Sequence, residues 1–226
     1  MPMMPMKHIT FYLDFISPYA CLAFERLPEA LEGLSYSVSY QPVLFAGMLK
    51  HHGQLGPAEI APKRDWTYRQ VLWLAHSLGI ELQMPASHPF NPLPLLRLAL
   101  ACSPDAAPGH PNRHVCEAVF RHVWRGGAEA GDAQRLHALT QQLMPQRNMQ
   151  DEAQAASVKL QLKNNTEDAI GKGVFGVPSF AVDDKLFWGL DALPMLRDYL
   201  QGNVWFEGAD WESACQVAVG VIRSPQ

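Results

Sequence analysis

A strand that runs straight into a helix, and a second strand that begins on a proline, constrain this chain more than any other feature. Thr10 to Phe15 is an apolar run of strand length, followed at once by Ser17-Pro18. Serine is a favoured N-cap, and proline suits the first helical position because the N–H it lacks would be unpaired there anyway. A hydroxyl and several unpaired N–H groups then gather at the positive end of a helix, where an anion is stabilised. About 160 residues later, Gly173-Val174-Phe175-Gly176-Val177-Pro178-Ser179-Phe180 leads into another short apolar run. Pro178 removes a backbone donor just where a ladder begins, which suits a strand's first residue or a bent, cis entry. Taken singly, Ser17-Pro18 is also what an ordinary capped helix after a strand looks like.

Between the two runs the pattern is helical. The spacing of apolar residues predicts a helix from Tyr19 to Leu31, ended by Gly33 and bent or broken at Pro28. Tyr36 to Leu44 reads as a second strand, and Gly47 to Pro62 as a loop. Further helices are expected from Trp66 to Ser77 with Asp65 as cap, from Asn91-Pro92 to Cys102, and from Pro111 to Arg125. Asp132 caps one from Ala133 to Met144, Asp151 precedes one from Glu152 to Leu162, and Thr166 begins a short one ending at Gly171. Strands return at Ser179–Val182 and Lys185–Trp188 around the turn Asp183-Asp184, followed by a closing helix from Leu193 to Leu200.

Composition narrows the function. With 226 residues, 48% of them hydrophobic, the chain fills one domain or two small ones. Its net charge of −4 and the absence of a basic block argue against nucleic acid. No apolar run reaches the length of a membrane span, and the start, Met1 to Lys7, is broken by proline and lacks a signal-like apolar stretch. A cytoplasmic protein is the expectation. Cys21, Cys102, Cys116 and Cys215 show neither C-x-x-C spacing nor metal-like pairing with histidine, so neither disulfide exchange nor a metal site is expected. Cys21, one residue out of register with a dithiol motif, reads as a packing residue.

Asp14-Phe15-Ile16-Ser17-Pro18-Tyr19, the run Gly173 to Phe180, and Phe187-Trp188-Gly189-Leu190-Asp191 together resemble one branch of the thioredoxin-like fold. That branch holds 2-hydroxychromene-2-carboxylate isomerases and kappa-class glutathione transferases, and the resemblance spans Ile9 to Leu200. It implies an α/β fold in which a discontinuous thioredoxin-like domain, 1–44 and 173–202, is interrupted by an all-helical insertion, 45–172. The tail 203–226 lies outside it, with Trp205, Phe206 and Trp211 available to pack it onto the body or a partner. The resemblance further implies glutathione as cofactor, a small aromatic substrate, a homodimer, and a cis bond at Val177-Pro178.

Carried over position by position, Ser17 becomes the catalytic residue, donating to the glutathione sulfur. Val177, Pro178, Leu190 and Asp191 become glutathione contacts, with Asp191 taking the glutamyl amine. Lys63 matches the lysine that reaches a glutathione carboxylate. Gln54 stands near a position where relatives carry asparagine. Tyr19 and Asn91 would face the second substrate. Each has a plainer reading beside it: Asp191 and Asn91 as helix caps, Lys63 as a solvated charge, His88 as loop packing, Asp14 as a structural acceptor. Trp66, Tyr68 and Trp73 read as core more readily than as a substrate wall. A conjugating transferase is the near alternative among enzymes, and a non-catalytic thioredoxin-like binding module the alternative outside them.

Overall fold

A computed structural model describes residues 6–144 and 152–221. β1 (Lys7–Leu13) and β2 (Tyr36–Pro42) run parallel, with Lys7 opposite Tyr36 and Leu13 opposite Pro42. Parallel neighbours need a crossover, and α1 (Pro18–Ala30) provides it. β3 (Ser179–Val182) and β4 (Lys185–Trp188) form a hairpin, and β3 lies antiparallel to β1 with Phe11 opposite Phe180. The sheet order is therefore β2-β1-β3-β4. Alternation along β1 sends Ile9, Phe11 and Leu13 into the main core, while Tyr12 joins a smaller cluster with Val43, Met48, Val174 and Val177 on the other face.

The helical segment comprises α2 (Phe45–His51), α3 (Ala61–Ser77), α4 (Leu93–Ala101), α5 (Arg113–Trp124), α6 (Ala133–Leu143) and α7 (Glu152–Gly171). Phe120 of α5 packs against Phe15 and Phe24 with ring centroids 4.9 and 5.2 Å apart, so helices and sheet share one hydrophobic core. α8 (Leu193–Leu200) closes the sheet end, and α9 (Ala209–Ala214) follows. Phe206, between them, is buried against Phe187 and Tyr199, which fixes the tail to the body. Among the described residues no helix is long and apolar enough to cross a membrane.

Four local expectations differ from the structure, and three of the differences have a tertiary cause. α2 takes up the start of the segment read as a loop, Gly47 to His51. Its first N–H, that of Phe45, donates to Asp14 Oδ2 at 2.9 Å, and Leu44 N donates to Thr166 Oγ1 at 3.0 Å. α3 begins at Ala61 with Pro62 in its first turn, ahead of Asp65. α7 is continuous through Thr166, because the polar residues that read as breakers bond outward. Asn165 Nδ2 donates to the carbonyls of Pro42 and Gly109, and Thr166 Oγ1 receives Leu44 N while donating back to Leu162. Finally, of the bend or break expected at Pro28, the break does not occur, and α1 continues through it. A proline leaves the carbonyl four residues earlier without its helical donor. That carbonyl is Phe24, and Arg113 of α5 donates to it from both Nη atoms at 3.4 Å. Asp151 lies outside the described residues.

Candidate active site

The C-terminal end of β1 and the entry to β3 meet side by side. Ser17 has extended backbone and caps α1, its Oγ accepting from Ala20 N at 3.2 Å, with Pro18 in the first turn. The same hydroxyl donates to the Val177 carbonyl at 3.4 Å, across 160 residues of sequence. Val177-Pro178 is cis. Among the described residues the Val177 N–H pairs with nothing, and its carbonyl receives only that long contact from Ser17. A peptide backbone laid alongside Val177 would therefore find one free donor and one nearly free acceptor next to a helix N-terminus.

Gly189 brings the last part of the third motif to the same place. Its N–H donates to the Pro178 carbonyl at 2.9 Å, at a φ of 102° that favours glycine. A Cβ at Gly189 would stand 2.3 Å from Asp191 Oδ1, so the exposed Asp191 carboxylate folds back over this turn. Leu190 packs with Tyr19 and Leu22 of α1. The exposed rings of Phe175 and Trp188, 4.8 Å apart, stand beside the cis-proline turn, with Trp188 over Gly176.

Of the residues singled out in the sequence, the structure thus brings Ser17, Tyr19, Val177, Pro178, Leu190 and Asp191 together. The Tyr19 hydroxyl donates to Gln70 Oε1 at 2.6 Å, and burial, more than the Asp191 charge, holds its pKa above the usual phenol range. Lys63 sits seven residues before Gln70 on α3, hence on the same helix face about 10 Å away. Its ammonium is exposed and forms no ion pair among the described residues. Gln54 is exposed beyond α2, its backbone N–H bonded to Leu49. Asn91 Oδ1 accepts from Leu93 N at 3.1 Å, a capping role. No contact ties Gln54 or Asn91 to Ser17. Trp66 and Trp73, read as core, are each 63% exposed, because α3 buries only Val71 and Ala75.

Sequence reasoning missed the support beneath Ser17. Trp124 Nε1 donates to the Phe15 carbonyl at 2.9 Å, and His88 Nε2 donates to the Ile16 carbonyl at 2.8 Å. The Tyr68 hydroxyl lies 2.7 Å from His88 Nδ1 and 2.9 Å from the His88 carbonyl, sharing one proton between two acceptors. Burial lowers the His88 pKa, which keeps the ring neutral with its proton on Nε2. Asp14 is fully buried beneath the same loop, accepting from Ile16 N and Phe45 N, and burial raises its carboxyl to about 7. Cys21 is buried in α1 with its thiol pushed up by burial, consistent with packing rather than chemistry. No local pattern signals the Trp124 and His88 contacts, whereas Asp14 is the structural acceptor and Cys21 the packing residue that the sequence suggested.

A model of the DSBA-like thioredoxin domain matches residues 8–201. This chain belongs to the DsbA-like thioredoxin domain family. Within that fold it is 26% identical to a 2-hydroxychromene-2-carboxylate isomerase from Sphingobium xenophagum, over 86% of this chain and 98% of that protein. It is 25% identical to the glutathione S-transferase kappa 2 of Caenorhabditis elegans, over 86% of this chain and 92% of that protein. A solved 2-hydroxychromene-2-carboxylate isomerase structure superposes with a TM-score of 0.69 at 25% identity, covering 90% of this chain and 98% of that one. The family resemblance expected from the three motifs therefore holds, as does the DsbA-like thioredoxin fold.

Proposed function

We propose that this family member is a glutathione-dependent isomerase interconverting 2-hydroxychromene-2-carboxylate and trans-o-hydroxybenzylidenepyruvate during the breakdown of fused aromatic rings. The observation that carries this reading is the Ser17 hydroxyl at the α1 N-terminus, set against the unpaired N–H of Val177 and a carbonyl that receives only the long Ser17 contact. The isomerase names of its relatives support it. The polar groups fit a thiol tripeptide: a free N–H and a weakly engaged C=O at Val177, the Asp191 carboxylate for an amine, and the Lys63 ammonium for a carboxylate.

Bound glutathione would supply a thiolate able to add reversibly to the conjugated double bond, leaving it free to rotate. With glutathione bound, the Ser17 Oγ proton, which otherwise makes the long contact to the Val177 carbonyl, would turn to the sulfur, and the first N–H groups of α1 would add positive potential there. Pro178 keeps the Val177 groups out of the ladder, so they stay available to the peptide. Leu190 backs the site, Asp191 takes the glutamyl amine, and Lys63 and Gln54 hold carboxylates. Tyr19 and Asn91 face a small aromatic substrate. Segments 1–44 and 173–202 form the thioredoxin-like half of the site, and the helical insertion 45–172 contributes Gln54, Lys63 and Asn91. Two copies assemble in the cytoplasm, a homodimer supported by the exposed Trp66, Leu72 and Trp73 of α3.

The test is the ultraviolet spectrum of the chromene carboxylate incubated with the purified chain, with and without glutathione. Interconversion that requires glutathione, without net loss of thiol, is expected. Equal rates in its absence would end the proposal, and stoichiometric thiol loss would favour the conjugating transferase.

A further inference from the structure

A cavity of about 620 Å³ opens where the last turns of α1 meet β2 and the loop before α5. Leu27, Pro28 and Val38 give it an apolar wall, continued by the Tyr36 ring. Facing them is Arg113, half-buried, its guanidinium 4.2 Å from the centroid of the Phe24 ring. Its hydrogen bonds go to the Phe24 carbonyl and, at 3.1 Å, to the Tyr40 hydroxyl, which are neutral acceptors. Among the described residues no carboxylate pairs with it. The Tyr40 hydroxyl accepts from Arg113, and its own proton finds no acceptor among those residues.

A guanidinium drawn partly out of water is compensated best by a carboxylate or phosphate met through two parallel bonds. Here a cation and an O–H donor stand over an apolar and aromatic wall, and the matching anion is not a side chain of the described protein. His110, also on the cavity, has a buried Nδ1 without a partner. We propose that this cavity binds a small organic carboxylate with a flat apolar body, its carboxylate on Arg113 and the Tyr40 hydroxyl and its ring against Leu27, Pro28 and Val38. The place is distinct from the Ser17 site, because Ser17 and Pro28 lie eleven residues apart along α1, about 16 Å. His110 reports on it independently. Burial depresses its pKa, and an anion arriving nearby raises it.

Benzoate titrated into the full chain and followed by nuclear magnetic resonance tests the proposal, with benzamide as the uncharged match. Saturable shifts are expected at Val38, Tyr36 and Arg113, with the His110 titration midpoint moving upward and benzamide binding at least tenfold weaker. Arg113→Met should weaken benzoate at least tenfold, and Arg113→Lys should recover part of the loss. Because Arg113 also serves the Phe24 carbonyl, Val38→Trp provides a second variant that fills the cavity without touching the guanidinium and should abolish binding equally. Ser17→Ala should leave benzoate binding unchanged. Equal affinity for benzamide, shifts that never saturate, or shifts confined to the Ser17 and Val177 region would each overturn the assignment.

Discussion

Replacing Ser17 by alanine removes two interactions at once, and the structure allows each to be sized. As the cap of α1, Oγ accepts from Ala20 N at 3.2 Å, and losing a serine cap costs about 1 kcal/mol. Its bond to Val177 is 3.4 Å long, near the limit of a hydrogen bond, and adds little. For a chain of this size, 1 kcal/mol lowers the melting temperature by about 2–4 °C, so the variant should fold and can be assayed. The larger effect is on the bound thiol. An ordinary thiol has a pKa of about 8.5 and is only about 3% ionised at neutral pH. A hydrogen bond donated to a charged acceptor contributes about 1.5–3 kcal/mol. At about 1.4 kcal/mol per pKa unit, its loss returns the bound thiol upward by about one to two units. Each unit of rise lowers the thiolate fraction at neutral pH by at most about tenfold, so isomerisation there should fall by about three- to thirtyfold, the deficit shrinking as pH rises, while glutathione affinity stays within several-fold. The assay is the ultraviolet absorbance of the thiolate titrated in both proteins, with rates measured at each pH. If the two titrate alike and turn over alike, Ser17 is a helix cap and the mechanism is wrong.

Lys63→Ala should weaken glutathione by an amount typical of an exposed ion pair, about 0.2–1 kcal/mol by calorimetry, and an unchanged Kd removes Lys63 from the site. Asp14 has its carboxyl raised by burial from 3.8 to about 7. Its contribution to stability is therefore fully present below the unfolded value and is lost as pH rises through about 7, a change of about 4 kcal/mol. Asp14→Asn should flatten that slope in denaturant midpoints measured across the window, and an unaltered slope refutes the assignment. Trp124→Phe keeps most of the ring but strands the Phe15 carbonyl, and should cost about 1–3 kcal/mol by chemical denaturation. Wild-type stability in that variant would show that the indole contact does not hold the loop.

What was legible in the sequence was what short-range chemistry decides. Ser17-Pro18 reads as a helix start from its own residues, Asp132 caps α6 as its spacing predicts, and Asp183-Asp184 turns the β3–β4 hairpin. What was illegible depends on partners far along the chain. α2 was hidden because its stabilising acceptors, Asp14 and Thr166, lie 31 and 122 residues from the amides they receive. The continuity of α7 was hidden because Asn165 and Thr166 look like breakers until the sheet and loops they bond are in place. His88 and Trp124 carry no motif at all. Their importance comes from holding two successive carbonyls ahead of Ser17, across 72 and 109 residues. α3 misled in the opposite direction, since Trp66 and Trp73 are largely exposed where their chemistry suggests a core.

The pairing of β1 with β3 also sets a timetable for biosynthesis. β1, α1 and β2 form a local unit in which Phe11 lies opposite Tyr40, but the other edge of β1 has no partner until Phe180 has left the ribosome. At about 5–20 residues per second, the 160 residues between Ser17 and Val177 take roughly 8–32 s to make. Throughout that interval the open edge of β1 is a template for any passing strand. The capped hydroxyl of Ser17 is ready early, yet the backbone it faces arrives almost last, so the site exists only once nearly the whole family domain has been synthesised.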